Sequence, residues 1–226
     1  MGTVSVYWTD MENCFTHQRV NDMGKMATKE KIIFQALKLF SRDGFDATST
    51  RAIARSIDCS DAVIYKHFKS KQEILDAIIT ICSGRLMEKS TQIKAEEICW
   101  KDVEKICLDM FEFQTTDEWI VPFRKLLLIE QFKNPKLEMI YRDVFINKPL
   151  LSMEAMFERL ISLGYMKPGN PRVYAMDLYS PFFMYHTIGC DNAEIVENLK
   201  EHAALFRKNV VTDEVYLETE EINEKN

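Results

Sequence analysis

Between residues 48 and 68 the sequence leaves room for two helices of about two turns each, split by a turn at Asp58-Cys59. That spacing narrows the possible folds more than anything else in the chain. Helices this short do not persist in water without packing partners, so they predict a small bundle braced by its neighbours. Upstream, Ile33, Ala36, Leu37 and Phe40 recur at i, i+3, i+4 and i+7, the signature of a helix with one apolar face. Thr28 is its expected N-cap, Glu30 falls in the first turn, and Gly44 is the stop signal. Downstream, Ser70-Lys71-Gln72-Glu73 has the form of a capping box opening the helix ILDAIITIC, whose first amides and Lys71 could hold a phosphate.

Within the pair, Thr48 and Ser49 are the expected caps of a helix running to about Ile57. Ile53 and Ile57 face inward, and Ala54 is small enough for a close helix crossing. The turn calls for a left-handed residue, and Asp58 is among the few side chains besides glycine that tolerate that region. Ser60 caps the second helix, and Ile64 and Phe68, four apart, line its inner face. Asp61, Ala62, Val63, Tyr65, Lys66 and His67 are left facing outward or sideways. Such a unit suits a second helix laid in the DNA major groove while the first braces it across the backbone.

A net charge of −6 argues against nucleic acid only until it is divided. Residues 25–76 hold ten basic and seven acidic side chains, a balance of +3, whereas residues 1–24 carry −2 and residues 77–226 carry −7. The positive charge sits where the motif sits.

Residues 27–76 resemble the N-terminal domain of the TetR/AcrR family of bacterial transcriptional regulators. The resemblance rests on GFDATS at 44–49, on Ile53-Ala54, and on Ile64-Tyr65-Lys66-His67-Phe68 followed by Lys69-Ser70-Lys71. It implies an all-α protein: an N-terminal three-helix helix-turn-helix domain over 25–76, with the motif at about 49–68, then a larger helical domain over 77–212. On that reading Thr50, Arg51, Tyr65, Lys66, His67 and Lys71 meet phosphates, and Asp61, Ala62 and Val63 meet base edges. Thr48, Ser49 and Ser60 complete the DNA-facing set. Two residues depart from the pattern. Asp58 stands where the family usually has glycine, and Asp61 stands where it often has lysine, which alters the preferred operator.

Residues 77–212 read as helix throughout. Val103, Ile106, Cys107, Met110 and Phe111 share one face, and Pro122, Pro135 and Pro149 mark helix starts or kinks. Gly164 closes a helix, and two long helices over 172–188 and 193–210 follow. Residues 1–24 read as a disordered extension or as sequence ahead of a start at Met23 or Met26. Residues 213–226 hold six acids and one lysine, a solvated tail. No apolar run reaches the roughly 18 residues of a membrane span. Six cysteines without CxxC spacing point to reduced thiols in the cytoplasm.

The larger region concentrates 17 of the 25 aromatic residues and eight of the twelve methionines. At helical spacing most of these are core. The resemblance nevertheless implies a small-molecule effector site there, with Met110, Phe111, Gln114, Trp119, Phe123, Tyr141 and Tyr179 as candidates for an apolar or aromatic ligand. It also implies a homodimer through the last two helices, with Phe182, Phe183, His186, Leu199, His202 and Phe206 at the contact. No cofactor or metal is expected. Neither a nucleophile with base and orienter nor an HExxH or phosphate loop is present, so the sequence does not read as an enzyme. Operator-binding repressor released by effector is the expected role, with an activator of the same family or a helical small-molecule-binding enzyme as the alternatives.

Overall fold

A computed structural model describes residues 27–91, 100–188 and 193–212. The expected N-terminal extension and acidic tail lie outside the described residues. By internal packing the chain divides into two units, Met1–Ile78 and Ile79–Asn226.

The first unit contains α1 (Thr28–Asp43), α2 (Thr50–Ser56), α3 (Asp61–His67) and the start of α4 (Lys71–Thr91). The apolar stripe of α1 buries Ile33, Ala36, Leu37 and Phe40, joined by Ile32 and Phe34. Ile53, Ala54, Ile64, Phe68, Ile74 and Leu75 complete the core of this unit. Each large side chain among these contributes on the order of 1.5–3 kcal/mol through burial, which is what holds two seven-residue helices in place.

Three local expectations are corrected. Thr28 begins α1 as its first helical residue, so Ala27 is the N-cap and no side chain caps that end. Ile57 is only half-buried, because it closes α2 with φ −121° and ψ 17° and has already left the helical face. Ser60 occupies the N-cap position of α3, yet its hydroxyl makes no capping bond.

The described part of the second unit is built of helices: α5 (Trp100–Thr116), α6 (Ile120–Glu130), α7 (Pro135–Arg142), α8 (Lys148–Ser162), α9 (Pro171–Ile188) and α10 (Ala193–Val210). A π-helical turn, Asp143–Asn147, joins α7 to α8. Asn134 caps α7 by accepting from Lys136 N and Leu137 N, and Pro135 fills the first position, where no amide is missed. Gly164 adopts φ +79° after α8, as a helix-ending glycine should. The loop beyond it is pinned by an isolated antiparallel bridge between Met166 and Val211. Pro181 lies inside α9 and deprives that helix of one amide donor. The core runs through Val103, Phe111, Phe157, Leu178, Phe182, Leu199 and Phe206.

Candidate nucleic-acid interface

The α2–turn–α3 unit is built from short-range chemistry. Ser49 Oγ accepts from Ala52 N at 3.1 Å, satisfying a free amide at the start of α2. At its other end Cys59 N donates to the Ala54 carbonyl at 3.0 Å, and Asp58 takes the left-handed conformation with φ +54°. Asp58 therefore does the work expected of glycine. Cys59 is half-buried, and its thiol pKa is raised by burial and by Asp61 and Asp58, which keeps it protonated and unreactive.

Ile53 and Ala54 on α2 and Ile64 on α3, together with Phe68, are turned into the core. That fixes the rotation of α3 and leaves its opposite face in solvent. Tyr65 is 56% exposed, Ala62 and Lys66 are exposed, and Asp61, Val63 and His67 are half-exposed. Tyr65 Oη and Thr50 Oγ1 lie 3.4 Å apart across the two helices. Arg51 Nε donates to Asp61 Oδ2 at 3.0 Å in an ion pair open to solvent. Thr50, Arg51, Asp61 and Tyr65 thus form one surface with α3.

Two members of the expected set are used differently. Thr48 is buried, and its hydroxyl donates to the Gly44 carbonyl at 2.8 Å, so it closes the α1–α2 loop instead of capping α2. Lys71 Nζ donates to the carbonyl oxygens of Phe45, Asp46 and Thr48 at 2.5, 3.2 and 2.9 Å and lies 4.4 Å from the Phe45 ring centroid. Its three protons are taken up inside the protein, a correction to its reading as a phosphate contact. The capping box is real in part. Glu73 N donates to Ser70 Oγ at 3.2 Å, while the Glu73 carboxylate accepts from Lys69 N instead of from Ser70.

In the second unit, Phe111, Gln114, Trp119, Phe123, Tyr141 and Tyr179 are buried and Met110 is half-buried. The structure gathers several of them around two residues the sequence did not single out. Arg124 Nη1 donates to the Gln114 carbonyl at 2.6 Å, and Phe145 stacks 5.6 Å from Tyr141 and 6.4 Å from Phe123. Phe111 instead packs on Phe182, 6.1 Å away, in the general core. An arginine in an apolar helix (IVPFRKLLLIE) was the available signal for Arg124.

The residues expected at a dimer contact need correcting. Phe182, His186, Leu199 and Phe206 are buried within their own chain, because the aromatic face of α9 and α10 turns onto α5 and α8. Phe183 and His202 are half-buried, His202 Nε2 lying 3.3 Å from the Leu178 carbonyl.

Two short helices set at a tight turn, the second with a solvent-facing polar edge, define a helix-turn-helix unit of the class that reads DNA. Comparison with known proteins makes this specific. Residues 32–78 match the model for bacterial regulatory proteins of the tetR family. Over 202 residues the chain is 26% identical to the HTH-type transcriptional regulator YvkB of Bacillus subtilis, covering 82% of this chain and 98% of that one. It is 41% identical to IcaR, negative transcriptional regulator of the biofilm operon icaADBC in Staphylococcus aureus, over 54 residues that cover 24% of this chain and 29% of IcaR. The fold is similar to that of SmeT, repressor of the Stenotrophomonas maltophilia multidrug efflux pump SmeDEF, with a TM-score of 0.60 and 22% identity over 84% of this chain and 93% of SmeT. Residues 32–78 thus match the regulatory domain of the tetR family, and over most of its length the chain is similar to an HTH-type transcriptional regulator.

Proposed function

We propose that this regulator is a repressor that binds a palindromic operator as a homodimer and leaves it when a small molecule enters the second unit. The observation that carries the DNA reading is the rotation of α3. Burial of Ile64 and Phe68 commits Ala62, Val63, Tyr65 and Lys66 to the outside. Val63 and Ala62 offer apolar contact to a thymine methyl, and Asp61 can accept from a cytosine amine. Thr50, Arg51, Tyr65, Lys66 and His67 fix the register on phosphates. IcaR is itself a negative regulator and SmeT a repressor.

Two copies would present two α3 helices to successive major grooves, about 34–36 Å apart. Since the aromatic faces of α9 and α10 are used internally, the proposed self-contact falls to what those helices leave outside. Met176 and Met184 on α9 and Leu205 on α10 are large, apolar and exposed. In this reading residues 25–76 read DNA, residues 77–212 bind effector and partner, and α4, which runs from one into the other, transmits the change.

Selection of bound duplexes from a random pool, followed by a salt titration, tests this reading. A recovered palindrome whose affinity falls steeply with salt is the expected result. Recovery of no sequence preference would refute it.

A further inference from the structure

Arg124 lies on α6 with 3% of its surface exposed. Its one hydrogen bond among the described residues runs from Nη1 to the Gln114 carbonyl, although a guanidinium carries five N–H donors. No carboxylate among the described residues pairs with it, and the groups that act on its charge are the Tyr141 and Tyr179 phenols. Burial lowers its pKa to about 10, which leaves it cationic at neutral pH. A buried cation without a counter-ion is among the most expensive features a core can hold.

The groups beside it are short of partners in a complementary way. Tyr179 Oη gives its proton to the Phe145 carbonyl at 2.9 Å. Its 3.2 Å contact with His186 Nε2 is therefore donated by the imidazole. That leaves His186 Nδ1 as an acceptor, buried and without a hydrogen bond among the described residues, on a ring 1% exposed. Burial and the Arg124 charge hold His186 neutral, with its pKa lowered to about 3. Gln114 Oε1 is a second buried atom with no partner among the described residues. Phe123 and Phe145 supply apolar walls. Tyr141 also lines an open cleft of about 410 Å³ together with Gln131, Phe132, Glu138, Arg142 and Ile146.

We propose that Arg124 is the anion-recognising element of the effector site. The effector class is a small aromatic or aliphatic carboxylic acid, its carboxylate on the guanidinium and a hydroxyl or N–H donor on it directed to His186 Nδ1 or Gln114 Oε1. This rests on the effector-release reading above and narrows the ligand from any apolar molecule to an acid.

Calorimetric titration of the full chain tests it, with benzoate, 3-hydroxybenzoate, 3-phenylpropionate and octanoate each set against its own amide. At least one acid is expected to bind about tenfold or more tighter than its amide, as a charge-assisted contact requires. The preference should disappear in Arg124→Gln and persist in Arg124→Lys. Equal affinity for acids and amides, an undiminished preference in Arg124→Gln, or no binding by any of the acids overturns the proposal. Operator affinity measured on the same samples separates the two layers. Amides that bind equally well and release DNA leave effector release standing and refute the anion site. An acid that binds through Arg124 without moving operator affinity sustains the anion site and refutes release.

Discussion

Lys71 Nζ lies 2.9 Å from the carbonyl oxygen of Thr48, and it reaches the carbonyls of Phe45 and Asp46 as well. A lysine at the start of α4 thereby fixes the loop that delivers the chain into α2. Replacing it leaves those carbonyls without their charged donor. Lys71→Met is expected to cost roughly 2 kcal/mol in urea unfolding and to leave the salt dependence of DNA binding unchanged. A variant of undiminished stability whose salt slope falls by about one would instead make Lys71 a phosphate contact.

Arg51 and Asp61 hold each other across α2 and α3 in an exposed pair, which is worth under about 1 kcal/mol. Asp61→Asn removes a carboxylate that repels phosphate and releases Arg51 toward the backbone. Binding to non-specific duplex should strengthen, most visibly at low salt, with the unfolding midpoint nearly constant. Fluorescence anisotropy at several salt concentrations reads this directly, and weaker binding at every concentration would contradict it.

Asp58 pays for its left-handed φ of +54°. Asp58→Gly relieves that strain and is expected to gain about 0.5–1 kcal/mol, part of the gain being offset by the freer unfolded chain. Ser49→Ala should do the reverse, losing about 1 kcal/mol with the cap on Ala52 N. Denaturant melts of the two variants ought to move in opposite directions.

His186 gives stability a pH dependence of definite sign. Its folded pKa of about 3 is below the ordinary 6.5, so between those values the unfolded chain binds the extra proton. The contribution is intact above pH 6.5 and is lost as pH falls from 6.5 toward 3, at a rate of up to about 1.4 kcal/mol per unit. His186→Gln should flatten the stability curve between pH 6.5 and 4 relative to the parent protein; an identical slope would show that the imidazole is not buried neutral.

Much of the first unit was legible because its determinants are local. The spacing of Ile33, Ala36, Leu37 and Phe40 reports a helix, Ile64 and Phe68 fix which side of α3 is hidden, and Asp58 marks the turn through its own conformational tolerance. Lys71 and Thr48 were misread because their partners, 23 to 26 residues away for Lys71, are backbone carbonyls that no side-chain pattern announces. In the second unit the sequence located the aromatic helices but not which way they turn. An amphipathic stripe reads the same whether it meets its own chain or a copy, so Phe182, His186, Leu199 and Phe206 were placed outside when they belong within. Arg124 was hidden for a related reason: it sits in a stretch whose hydrophobicity describes the helix, while its lack of an acidic partner among the described residues exists only in three dimensions.

Tyr65 is the largest exposed side chain on α3, and its affinity for operator is the sharpest test of whether that helix meets DNA. Anisotropy titration of Tyr65→Ala against the selected duplex, with circular dichroism and sedimentation run in parallel, is expected to show a loss of about tenfold or more in affinity with helix content and assembly state unchanged. Affinity equal to that of the parent protein would contradict the placement of α3 in the groove, and with it the repressor reading.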